Sequence, residues 1–120
     1  MAVNLIKNVA VISIWAEDLP KAAHFYRDVL GLELVEHHHD ARPHFKVGDA
    51  YLVILKGKPN TAENREPSRF PLFAFEVQDL DAAVERLDAH NINMPWGIEG
   101  SGSSRWVMFH DPGGNLIELT

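Results

Sequence analysis

The chain is written twice, and a duplication restricts the fold more tightly than any overall composition does. At an offset of 61 residues, Val11-Ile12-Ser13-Ile14-Trp15 falls on Leu72-Phe73-Ala74-Phe75-Glu76, Asp18-Leu19 on Asp79-Leu80, and Ala22 on Ala83. Later the offset becomes 64, and Leu52-Val53-Ile54-Leu55 falls on Leu116-Ile117-Glu118-Leu119. Apolar periodicity and turn positions repeat together, which marks a repeated supersecondary unit rather than shared composition.

Each copy reads strand, helix, then three strands. In the first copy an apolar run from about Val9 to Trp15 leads to Asp18, a helix N-cap. Pro20 follows in the first turn, where its missing N–H costs nothing. Leu19, Ala22, Ala23, Tyr26, Val29 and Leu30 recur at helical spacing up to Gly31, a fitting C′ residue. Strands are expected at 32–39, 43–47 and 50–56. In the second copy they are expected at 71–77, 93–98, 105–110 and 115–120, with a helix capped by Asp79 running to about His90. The domain expectation is a single unit over 1–120, made of modules 1–57 and 68–120 and a connector at 58–67.

Composition narrows the function classes. Eleven basic against seventeen acidic residues give a net charge of −6, which disfavours nucleic acid. No apolar run approaches the roughly 20 residues of a membrane span. The N-terminus lacks the layout of a secretory signal. With no cysteine there is neither a disulfide framework nor a thiolate metal site nor a thiol nucleophile. A cytoplasmic location is the default expectation.

The chain closes on Phe109-His110-Asp111-Pro112-Gly113-Gly114-Asn115-Leu116-Ile117-Glu118-Leu119, a dense turn signal followed by a strand. Glu118 is a carboxylate inside an otherwise apolar strand, where an unpaired charge is costly. This segment resembles the closing hairpin of the vicinal oxygen chelate superfamily, the group of glyoxalase I, extradiol dioxygenases, and fosfomycin- and bleomycin-resistance proteins. The duplicated βαβββ pattern and the run Asp18-Leu19…Phe25-Tyr26-Arg27-Asp28-Val29-Leu30-Gly31-Leu32 are similar to the same family's modules. The resemblance implies an α+β fold: two βαβββ modules forming one eight-stranded, U-shaped sheet, a cup with helices outside.

In the family's metalloenzymes four strand positions supply metal ligands, and the resemblance places these at Val11, Ile54, Leu72 and Glu118. Three are hydrocarbon, and one carboxylate cannot build the three or four ligands of a catalytic divalent cation. No metal is therefore expected there, and no cofactor. Strand alternation then sorts the cup. Leu52 and Ile54 are expected to face it with Leu116 and Glu118. Ser13, Trp15, Ala74 and Glu76 share the face of Val11 and Leu72. On the remaining strands His37, His39, His44 and Lys46 are expected in the cup, as are Trp106, Met108 and His110.

The leading functional reading is metal-independent binding of a small molecule in the cup, similar to the bleomycin-resistance type. Trp15, Trp106 and Met108 would stack on a planar ligand, while Ser13, His37, His39, His44, Lys46, His110 and Glu118 orient its polar groups. The alternative is a lyase or isomerase acting on a small carbonyl compound. It would use Glu118 as catalytic base with a cup histidine as acid, or a displaced divalent metal on the histidine cluster. A salt bridge from Glu118 to Lys46 or Arg105 is the purely structural explanation of that carboxylate. A homodimer is expected, because family members of this size commonly complete the pocket with a second subunit and Trp15, Trp96 and Trp106 offer interface aromatics.

Overall fold

The structure is a computed structural model, and it describes residues 5–35, 42–58, 71 and 73–120. The first module runs β1 (Val11–Ala16), α1 (Leu19–His24), β2 (Glu33–Val35), β3 (His44–Val47) and β4 (Ala50–Lys56). The second runs β5 (Ala74–Phe75), α2 (Leu80–Ala89), β6 (Glu99–Ser101), β7 (Ser104–His110) and β8 (Leu116–Leu119). Both Asp caps form as their side chains dictate. Asp18 accepts from the Lys21 amide at 3.0 Å and Asp79 from the Ala82 amide at 3.1 Å. The first helix does not stay α-helical: Phe25–Val29 widen into a π-helical turn, a rare geometry that often accompanies a local constraint.

The eight strands form two four-stranded sheets of matching order, β1-β4-β3-β2 and β5-β8-β7-β6. In each, the first strand pairs parallel with the last and the others pair antiparallel. The α+β class and the duplicated βαβββ order are as the sequence implies. Among the described residues β1 and β5 are each an outer strand of their own sheet, so one edge of each is unpaired.

Besides the strand expected at 71–77, which pairs only over Ala74–Phe75, two strand expectations change. The stretch 93–98 is turn rather than strand, because Pro95 removes a ladder donor and Gly97 sits at φ +61°; pairing starts only at Glu99. The other change concerns β4. Ile14 pairs with Ile54 and Ser13 with Val53, and paired neighbours share a face. Ile54 and Leu52 belong to the buried core on the helix side, not to the cup. The residue corresponding to Glu118, which pairs with Ala74, is therefore Val53, so the repeat offset on this strand is one longer than the pattern suggested. The two closing hairpins differ enough to permit this. Val47 pairs directly with Ala50 across Gly48-Asp49, with Gly48 at φ +55°, whereas 111–115 separate β7 from β8.

The core lies between the modules. Phe25 packs against Phe109 with ring centroids 6.0 Å apart, and Tyr26 against Phe45 at 5.9 Å. The most specific tie is polar. Asp111 is 5% exposed, and its carboxylate accepts from the Tyr26 hydroxyl (2.5 Å), the Gly113 and Asn115 amides (3.0 and 2.8 Å) and Asn115 Nδ2. A buried carboxylate without a cation survives only when donors satisfy it this fully. Asn115 Nδ2 also donates to the Trp15 carbonyl at 2.8 Å, which holds the closing hairpin against β1. The radius of gyration, 15.4 Å, exceeds the about 13.6 Å expected of a compact chain of this length.

A candidate ligand cup carried in two halves

Opposite the core, each sheet presents a second face. On the first it carries Val11, Ser13 and Trp15 from β1, Tyr51, Val53 and Leu55 from β4, and His44 and Lys46 from β3. Val11 is 53% and Trp15 41% exposed, high values for apolar strand residues. Val53, at 7%, forms the floor. Lys46 and His44 are engaged close to their own strand. Lys46 Nζ donates to the Gly48 carbonyl at 3.0 Å and sits 5.3 Å from the centre of the Tyr51 ring. His44 Nδ1 lies 2.8 Å from the Arg42 carbonyl.

On the second sheet the same face carries Ala74, Leu116 and Glu118, with Met108 opposite Glu118 and Trp106 opposite Glu99. Met108 is buried yet stands outside the core cluster, so it floors this half as Val53 floors the other. Sequence reading overlooked Glu99, because its strand was placed too early; it also overlooked Tyr51, Val53 and Leu55 through the one-residue slip in β4. His110 occupies the cup side of β7 by register, but its exposed side chain lines a shallow groove with Lys21, Phe25, Asn91 and Pro112. His37 and His39, with Leu72, lie outside the described residues.

Glu118 is the chemically conspicuous group. It is half-buried, and among the described residues no hydrogen bond or ion pair reaches it. The two cations that might have explained it are committed elsewhere. Arg105 forks onto Asp81 of α2 with both contacts at 3.3 Å, and Lys46 is held by its own turn. The family's metal donor set does not fit here. The first-module positions are Val11 and Val53 on the cup and Ile54 in the core, Ala74 faces Glu118, and hydrocarbon side chains offer no lone pair. Among the described residues no three His, Asp or Glu side chains cluster as a cation site.

Two βαβββ modules of matching strand order, each turning one sheet face away from the shared core, define a class of small duplicated proteins. The sequence model of the Glyoxalase/Bleomycin resistance protein/Dioxygenase superfamily matches residues 8–119, and the chain belongs to that superfamily. It is 33% identical to the uncharacterized protein YaeR of Escherichia coli K12, over 95% of each chain. Among solved structures it is similar to TnmS3, an antibiotic binding protein from Streptomyces sp. CB03234 (TM-score 0.77, 26% identity, 98% of each chain). It is also similar to lactoylglutathione lyase from Agrobacterium tumefaciens (TM-score 0.73, 27% identity, 95% of this chain and 92% of that one). No helix among the described residues is long and apolar enough to cross a membrane.

Proposed function

We propose that this protein binds a small molecule in the cup without a metal, as a single two-module domain working in the cytoplasm. The observation that carries this reading is Glu118, a half-buried carboxylate with no hydrogen bond or ion pair among the described residues, flanked on its strand neighbours by buried Met108 and by Ala74. A carboxylate so placed is incomplete until a donor-bearing ligand arrives, and the surrounding apolar and aromatic surface supplies the rest of the affinity. The ligand class is a planar compound with hydroxyl or amine groups. Its ring stacks on exposed Trp15 and half-buried Trp106, and its donors meet Glu118. The similarity to an antibiotic binding protein supports this direction.

The functional unit we propose is a homodimer. Each chain carries its half-cups on separate sheets whose β1 and β5 edges are unpaired among the described residues, and Val11, Trp15 and Tyr51 remain exposed on one of them. A second copy would cover these edges and bring Trp15 of one half opposite Glu118 of another. Sedimentation at high micromolar concentration should give the dimer mass; a monomer throughout would overturn this assembly.

The functional test is titration of the protein with planar, donor-bearing polycyclic compounds, followed by tryptophan fluorescence and calorimetry. Saturable binding without product, weakened about tenfold or more by Glu118→Gln, is the expected result, since charge-assisted bonds contribute about 1.5–3 kcal/mol. An unpartnered Glu118 is equally free to act as a base, and this favours a lyase or isomerase as the second reading. Turnover of a small carbonyl compound that vanishes in Glu118→Gln would replace the binding reading with the enzymatic one.

A further inference from the structure

The seam between the modules holds a half-open cavity of about 240 Å³ on the helix side of the sheets, opposite the cup. The first module contributes Leu30 and Val47, and the second contributes Phe75, Ala83 and Leu119. Only two of its lining residues, Arg86 and Glu76, carry charge. The volume lies below the roughly 300–1,000 Å³ of drug-sized sites, so the occupant is a short chain or a single ring.

Arg86 gives the cavity its chemistry. Its Nε donates to the Val29 carbonyl at 2.7 Å and its Nη2 to the Asp28 carbonyl at 3.2 Å, the two carbonyls at the end of the π-helical turn. These bonds fix the exposed Arg86 guanidinium across the seam, and among the described residues no carboxylate pairs with its charge. A guanidinium has five N–H donors, so those not used in these two bonds remain for a ligand at the cavity that Arg86 lines. Glu76 is exposed and makes no ion pair with Arg86.

We propose that this seam cavity is a second binding site, separate from the cup, for a small monocarboxylate with an apolar tail. The carboxylate meets the Arg86 fork and the tail fills the space between Leu30, Phe75, Ala83 and Leu119. A fixed cation at the end of an apolar slot selects an anionic head over a neutral one of the same shape. Glu76 at the lining repels a second acidic group, so a dicarboxylate of equal length is rejected. The occupant would tie α2 to the end of α1 and so link the two modules.

The probe is octanoate, titrated in the millimolar range into isotope-labelled protein and followed by amide chemical shifts, with octanamide and octanedioate alongside. Octanoate should saturate and shift the amides of Leu30, Ala83, Arg86 and Leu119, with octanamide and octanedioate each weaker by about tenfold or more. Arg86→Gln should remove the preference for the anion, and Ala83→Leu should abolish binding of both by filling the slot. Glu118→Gln should leave octanoate binding unchanged, which separates this site from the cup. Equal affinity for octanoate and octanamide in the native protein would overturn the proposal, and that comparison needs no variant to fold. Shifts confined to Ala74, Met108 and Glu118, or no saturable shift at all, would overturn it too.

Discussion

Two adjacent residues of β4 should respond oppositely to the same substitution. Ile54 is fully buried in the core beside Ile14, and Val53 lies on the cup floor opposite Ser13 and next to His44. Ile54→Glu loses the burial of a large aliphatic side chain, about 2–5 kcal/mol by analogy with truncation to alanine. It also places a carboxylate among hydrocarbons with no cation in reach, which costs several kcal/mol more. The total of about 5 kcal/mol or more equals the lower end of the stability of a whole domain. This variant should lack a cooperative transition. Val53→Glu loses a smaller side chain, and its longer side chain can extend past the neighbouring, exposed Ser13 toward solvent. A cost of about 1–3 kcal/mol is expected there, with a urea midpoint lowered by roughly 1 M. Urea unfolding followed by the fluorescence of the three tryptophans measures both variants. A stable Ile54→Glu beside an unfolded Val53→Glu would mean that the strand register is off by one and that Ile54, not Val53, faces the cup.

Other outcomes follow from the same geometry. Tyr26→Phe should cost about 1–3 kcal/mol at neutral pH, because Asp111 loses its hydroxyl donor but keeps Gly113 and Asn115. Burial, then the neighbouring Asp111 charge, hold the Tyr26 phenol pKa well above its ordinary value of 10.0. Its contribution is thus complete below pH 10 and fades as pH climbs from there toward the raised folded-state value, by up to about 1.4 kcal/mol per pH unit. Denaturation series at several alkaline pH values should show this loss in the native protein and not in Tyr26→Phe; identical profiles would refute it. Gly113→Ala should destabilise by about 1–3 kcal/mol, since a Cβ there would stand 2.6 Å from the Trp15 carbonyl; an unchanged melting temperature would show that the hairpin does not press on β1. Finally, Val11→His, Val53→Glu and Leu72→His beside native Glu118 should create zinc or manganese binding measurable by calorimetry. The same set built with Ile54→Glu should bind no better than the native protein, and the reverse ranking would refute the assigned register.

The sequence by itself determined what depends on near neighbours. Asp18 and Asp79 cap helices because an Asx side chain reaches an amide three residues on, and the closing turn forms because Asp111 can satisfy the amides of its own loop. The duplication carried the α+β class and the strand order with it. Glu118 stood out because a charge in an apolar strand is conspicuous in any register. Only the tertiary structure decided which side of β4 meets the cup. A strand's face is a parity, set by pairing with a strand some forty residues away, and hairpins of unequal length let the two copies differ by one residue. The same limit hid Glu99, whose position depends on where β6 begins to pair. It hid the seam cavity as well, because Arg86 and the carbonyls of Asp28 and Val29 are more than fifty residues apart in sequence and meet only when the modules pack.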